Sequence, residues 1–242
     1  DIILKSIPAQ HQTILFSATL SKDIKQIAKE YQTDAKIVHV KQDTLTVDTV
    51  KQYYTKIPKG GKPNAIKSLL KDKNFDRCLI FVGTKLMADN LTEDLLKSGF
   101  IAAALHGDLR QRQRDAVMSK YRKNLVNILV ATDVAARGID VDNIDAVINF
   151  DIPEDTDSYV HRIGRTGRAN QNGAAYTFVY AKEQSRLESI VKDTKANIDL
   201  MLIDGVKFDE PKKQPYRQGF QKTKSNNFFK SPRGRKPKFP QK

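Results

Sequence analysis

Ile128–Val141 reads I-L-V-A-T-D-V-A-A-R-G-I-D-V. Its opening run, Ile128–Ala131, is short and continuously apolar, as expected of a strand covered by helices on both sheet faces. The run delivers Thr132 and Asp133 at its carboxyl end, where open α/β sheets bind ligands. Ala135, Ala136 and Gly138 are small enough for close approach of a backbone, and Asp140 offers an acceptor for a sugar hydroxyl. Thr132–Asp133 alone also reads as a strand-to-helix turn with an Asp cap.

Outward from this stretch, apolar runs alternate with helical patterns. Strands are expected at 13–16, 36–40, 50–57, 77–82, 101–105, 126–131, 144–149 and 174–180. Helices are expected at 21–32, 63–73, 84–98, 110–123, 155–163 and 183–197. Such alternation predicts an α/β fold with a parallel sheet. Asp108 and Gln111 have capping-box spacing for the 110–123 helix. The expected layout is an α/β remnant at 1–40, a connector with an edge strand at 41–62, a complete domain over 50–205 and a tail at 206–242. The chain opens at Asp1 inside a running pattern, so it is expected to be a piece of a longer protein.

The net charge is +14, and ten of those charges fall in 206–242, where twelve Lys/Arg face two acids. That tail also interleaves Phe208, Tyr216, Phe220, Phe228, Phe229 and Phe239 with prolines and shows no apolar periodicity. It is expected to be disordered. Basic groups bind phosphates by counterion release and aromatics stack on unpaired bases, so a nucleic-acid partner is expected. A merely solubilising tail is the alternative. The single cysteine, Cys78, lies in an apolar strand and excludes an internal disulfide or a Cys-based metal site. The four histidines lack metal-ligand spacing, so no protein-held metal is expected. No stretch is long and apolar enough to span a bilayer, and no signal peptide stands out. A soluble, cytoplasmic protein with no membrane partner is the expectation.

Three more stretches carry chemistry. Tyr159–Arg168, Y-V-H-R-I-G-R-T-G-R, packs Arg162, Arg165 and Arg168 around His161, Gly164 and Gly167. Arginine stays charged and its planar fork matches phosphate oxygens. Arg165 and Arg168, three apart, are expected on one side of a helix or tight turn, and the self-repelling cluster on an anion. A solvated basic face is the bland alternative. Leu105–Arg114, L-H-G-D-L-R-Q-R-Q-R, follows a strand and opens a helix whose free N–H groups would meet a phosphate. Leu79–Lys85, L-I-F-V-G-T-K, ends a strand in Thr84, either an N-cap or a phosphate contact. Ser17–Thr19, S-A-T, follows Thr13–Phe16 and is uninformative alone.

Together these stretches resemble, in order and spacing over residues 1–200, the carboxyl-terminal half of a DEAD-box RNA helicase. S-A-T resembles the third motif, L-I-F-V-G-T-K the fourth, Gln111–Arg114 the Q-x-x-R element, A-T-D-V-A-A-R-G-I-D the fifth and H-R-I-G-R-T-G-R the sixth. His161 favours the DEAD-box group over relatives that start the sixth motif with Gln. The resemblance implies a RecA-like, P-loop-NTPase-like three-layer lobe, an ATP substrate with Mg2+, and single-stranded or duplex RNA as partner. It implies that Arg165 and Arg168 are arginine fingers for ATP hydrolysis, and that Gly138 and Asp140 help bind the nucleotide, with Asp140 at the ribose. His161, Ser17 and Thr19 would couple nucleotide state to lobe closure. Thr84, Gly107, Arg114 and Thr132 would touch the RNA backbone. Gly83 and Gln113 depart mildly from the family wording, at positions without an assigned role.

The sequence holds no G-x-x-x-x-G-K-[ST] and no D-E-A-D; Gly60–Gly61–Lys62 is followed by Pro63 and lacks the earlier glycine. The phosphate cradle and the Mg2+ carboxylates are therefore expected on an amino-terminal lobe, and this chain alone is expected to be inactive. Two other readings stand beside this one. A plain RNA-binding module would use Gly164–Gly167 as a KH-type G-x-x-G loop, against which the long parallel α/β pattern argues. A DNA-directed superfamily-two relative is disfavoured by His161 and the A-R-G-I-D string.

Overall fold

The computed structural model describes residues 6–7, 11–17, 22–38, 50–137, 139, 141, 144–167 and 173–206. In chain order the elements are α1 (Lys22–Tyr31), β1 (Val50–Lys56), α2 (Lys62–Lys73), β2 (Cys78–Phe81), α3 (Lys85–Lys97), β3 (Ala102–Leu105), α4 (Gln111–Arg122) and β4 (Ile128–Ala131). They continue with α5 (Asp133–Ala136), β5 (Ala146–Asn149), α6 (Thr156–Ile163), β6 (Gly173–Val179), a 3-10 turn at Ala181–Glu183, α7 (Gln184–Thr194) and β7 (Ile198–Leu200).

The strands form one sheet in the order β3-β4-β2-β5-β6-β1-β7, every pairing parallel. Because side chains alternate across a sheet, one apolar run feeds two cores. Cys78 and Ile80 join Val130, Ile148 and Phe178 beneath α2 and α3, which bring Ile66, Leu69, Leu91 and Leu95. Leu79, Phe81, Leu129 and Val147 face the other way, under Met118 and Tyr121 of α4. Tyr159 and Ile163 of α6, with Leu187 and Ile190 of α7, extend that second layer over Ala175 and Val179. All four residues of β2, β4 and β5 are buried, which explains their lack of polar alternation. The buried Cys78 thiol is pushed far above its usual range, so it is a packing group.

The expected elements of the main domain are present within about two residues, with several corrections. Residues 13–16 form no strand. They are irregular, with Ile14, Leu15 and Phe16 exposed, and no described strand lies alongside to complete a ladder. Residues 36–38 are likewise irregular, while 39–40 lie outside the described residues. β1 is interior rather than an edge, since the unexpected β7 pairs along its far side. The expected 183–197 helix ends at Thr194, because Lys195 turns into the left-handed region at φ 55°. The cap of α4 is also different. Arg110 is its N-cap, and Gln113 Oε1 accepts from the Arg110 N–H at 2.9 Å, while the Asp108 carboxylate pairs with Lys85. The proposed tail falls, from residue 207, outside the described residues, as does 41–49 of the connector.

Gly173 opens β6 against the turn that follows α6. A Cβ there would collide with the Gly167 backbone and the Thr166 hydroxyl. Thr166 is itself buried and donates to the Ile144 carbonyl, so it cannot swing away without losing that bond. Gly173→Ala is therefore expected to destabilise the domain by about 1–3 kcal/mol, the usual cost of overpacking. An unchanged denaturant midpoint would show that the turn can yield.

Candidate functional site

The strands that lead into the motif-bearing stretches, β2, β3, β4 and β5, run parallel and so end on one edge of the sheet. β2 and β5 are adjacent there, yet the chain leaves them in opposite directions, β2 toward β3 and β5 toward β6. Such a reversal leaves a crevice outside the strand ends. A groove of about 310 Å3 opens at this place, lined by Gly83 after β2, Asp133 after β4, Asp151–Asp155 after β5, and Ser158 and Arg162 of α6.

Along the β3-β4-β2 part of the edge stand Gly107, Thr132 and Thr84, each one to three residues past its strand. Thr84 is exposed and caps α3, its Oγ1 accepting from the Met87 N–H at 3.1 Å. Thr132 is partly exposed and serves as the N-cap of α5, the place expected for Asp133; its carbonyl accepts the Ala136 N–H. A Cβ on Gly107 would make only ordinary contact with Lys85, at 3.5 Å. The fold thus does not demand glycine at 107. Arg114 stands one turn into α4, and its Nη2 donates to the Ala135 carbonyl at 2.5 Å. Four residues singled out in the sequence are therefore gathered on neighbouring elements of one edge.

The arginine-rich stretch divides. Arg162 is only 4% exposed and has its anion inside the protein. Its Nε and Nη2 grip the two Asp133 oxygens at 2.6 and 2.7 Å, while Nη1 donates to Asn149 Oδ1 at 3.1 Å and the Asp151 carbonyl at 2.7 Å. The guanidinium also lies over the Phe81 ring. The expectation that all three arginines await an external anion is corrected for this one. Helix α6 ends at Ile163, so Arg165 sits in the turn beyond it, partly exposed, with Nη1 donating to the Ile139 carbonyl at 3.1 Å. Gly167 needs to be glycine for its φ of 70°, whereas Gly164 has an ordinary φ of −66°. His161 is exposed on α6. Asp155, the N-cap of α6, is held below the usual carboxylate range by the Ser158 N–H it accepts.

Ser17 lies exposed in the irregular 11–17 stretch. Thr19, Gly138, Asp140 and Arg168 lie outside the described residues. The sequence reading missed Lys62, Asn149 and Asp151, which are bonded into the same edge. Asp151 follows the apolar β5 run as Asp133 follows β4, and that repeated carboxylate at a strand end was the available signal.

The Helicase conserved C-terminal domain matches residues 61–170. The DEAD-box ATP-dependent RNA helicase CshA of Bacillus subtilis is 42% identical over 201 residues, covering 83% of this chain and 41% of CshA. The chain thus spans about two fifths of the length of the curated relatives it matches. Among solved structures, S. cerevisiae Dbp5 bound to RNA and ADP BeF3 superposes with a TM-score of 0.73 at 31% identity, over 82% of this chain and 53% of that one. The E. coli DEAD-box protein SrmB, bound to regulator of ribonuclease activity A, is 33% identical with a TM-score of 0.63, over 67% of this chain and 97% of that one. With the parallel sheet order, the motif-bearing edge and these likenesses in agreement, the chain belongs to the DEAD-box helicase family, of which it carries the RecA-like carboxyl-terminal half.

Proposed function

We propose that this chain is the second lobe of an ATP-dependent RNA helicase, gripping the RNA backbone and supplying arginine fingers to ATP held by an amino-terminal lobe. The observation that carries this reading is the row Gly107, Thr132 and Thr84 on three adjacent strand ends, with Arg114 beside it. Hydroxyls, backbone N–H groups and an arginine along one edge suit a sugar–phosphate backbone, and contacts of that kind position a nucleic acid without reading its sequence. Gly107, which the fold leaves free to be larger, keeps the row open to a close backbone.

ATP would lie between lobes, with water attacking the γ-phosphate in line and Arg165 and Arg168 neutralising the charge that develops. Asp140 would hold the ribose, beside Gly138. His161, Ser17 and Thr19 would link nucleotide state to closure. Mg2+ does not fit the residues described here. Asp133 and Asp151 are engaged by Arg162 and Lys62, and no cluster of metal-binding side chains occurs among the described residues. We assign the ion to the amino-terminal lobe.

The purified 242-residue chain is expected to show no RNA-stimulated ATP hydrolysis, and to gain it when joined to an amino-terminal RecA-like lobe. Turnover by the chain alone that disappears in Arg165→Ala would overturn this division of labour.

A further inference from the structure

Lys62, the first residue of α2, is buried to 1% exposure, a depth at which lysine is almost never found unpaired. Its Nζ lies 3.0 Å from Asp151 Oδ1 and 3.7 Å from Glu183 Oε2, over the Tyr180 ring at 4.2 Å from the centroid. Tyr180 and Glu183 follow β6, so three parts of the fold converge on one ammonium group.

Asp151 is the member they share with the groove. Its Oδ2 accepts the Gly83 N–H at 2.9 Å, and its carbonyl accepts from Arg162 at 2.7 Å. Gly83 stands just past the end of β2, and the next residue is Thr84. An aspartate alone would rotate freely at this rim, where its side chain is 30% exposed. The buried cation fixes one oxygen, and the planar carboxylate then presents the other to Gly83.

Burying an ion pair is poor value as simple stabilisation, since a well-packed apolar pair often does as well. A geometric role accounts for the arrangement better. We infer that Asp151 is a positioning residue for RNA, which, clamped by Lys62, holds the Gly83–Thr84 turn where Thr84 meets the backbone. This rests on the reading above that Thr84 touches RNA. Asp151 acts through Gly83 and Thr84.

The test uses the full-length enzyme and RNA-stimulated ATP hydrolysis, with single-stranded RNA as the probe. Asp151→Ala is expected to raise the KM for RNA about tenfold, the scale of losing a charge-assisted hydrogen bond, with kcat at saturating RNA kept within about threefold. The neutral pair Lys62→Met with Asp151→Asn leaves no buried unpaired charge but removes the ammonium that clamps residue 151. It is expected to fold and yet to leave the KM raised about tenfold, because a stable but unclamped side chain no longer positions the turn. If Asp151→Ala does not fold, Lys62→Met alone is read in the same assay, since it unclamps Asp151 and should also raise the RNA KM. An unmoved KM in the folded single variants, a KM restored to the wild-type value in the neutral pair, or a kcat loss as large as the rise in KM overturns the inference. Wild-type enzyme lacking RNA-stimulated turnover overturns the helicase reading itself, whereas active wild type with indifferent variants overturns only the role of Asp151.

Discussion

Replacing Arg165 or Arg168 by Ala in the full-length enzyme is expected to cut kcat by roughly 10³ or more, the range of other arginine fingers. RNA affinity without nucleotide should barely change, because the backbone would be held by the strand-end row of Gly107, Thr132 and Thr84 with Arg114. A thousandfold loss corresponds to about 4 kcal/mol of transition-state stabilisation. Arg165 bonds the Ile139 carbonyl at 3.1 Å, and giving up a neutral acceptor of that kind costs only about 1 kcal/mol. That bond is small beside the effect expected of an arginine finger. Arg165→Lys should fail almost as badly, since an ammonium is a point charge without the planar fork. Steady-state hydrolysis at saturating RNA and ATP measures the effect. A kcat within about threefold of wild type would make Arg165 and Arg168 part of a solvated basic face.

How much of this was legible in the sequence depended on distance along the chain. The strands β2, β4 and β5 announce themselves because a strand buried on both faces is a contiguous apolar run. β7 does not, because Ile198–Leu200 is three residues long and mostly exposed at the sheet edge. Missing it also turned β1 into an apparent edge. α5 has four residues, too few to show a helical period. Residues 13–16 look like a strand by composition, but composition cannot supply a ladder partner.

The candidate site followed the same rule. Thr84, Gly107 and Thr132 were legible because each closes a short local pattern of strand, turn and helix start. The bonds that hold those turns in register were not. Lys62 and Asp151 are 89 residues apart, Asp151 and Gly83 are 68 apart, and Arg162 and Asp133 are 29 apart. Such pairs meet only after the sheet order has brought β2, β4 and β5 side by side. Arg162 illustrates the cost of reading locally. Within its own segment it is one of three like charges, while in the fold it is the counter-ion of a carboxylate from another strand.

That distinction predicts opposite behaviour for neighbouring arginines. Arg162→Ala should destabilise the lobe by about 2–4 kcal/mol, below the cost for a fully buried pair because Asp133 is 39% exposed and can be hydrated. For a chain of this size the loss lowers Tm by roughly 4–16 °C. The substitution strands Asp133 without its cation and removes the donor to Asn149 Oδ1, which is fully buried. The Asn149 amide nitrogen is already committed to Thr177 Oγ1 at 3.1 Å, so flipping the amide would give up that bond and still leave an unpaired group. Arg162→Lys should recover little, because one ammonium cannot meet both Asp133 oxygens, the Asn149 oxygen and the Asp151 carbonyl together. Arg165→Ala, by contrast, removes a partly exposed side chain and should lower Tm by no more than about 4 °C. Thermal melting of the 242-residue chain reads both variants without any need for activity. If Arg162→Ala melts with the wild type while Arg165→Ala unfolds early, the assignments are reversed, and Arg162 rather than Arg165 becomes the guanidinium available to a phosphate.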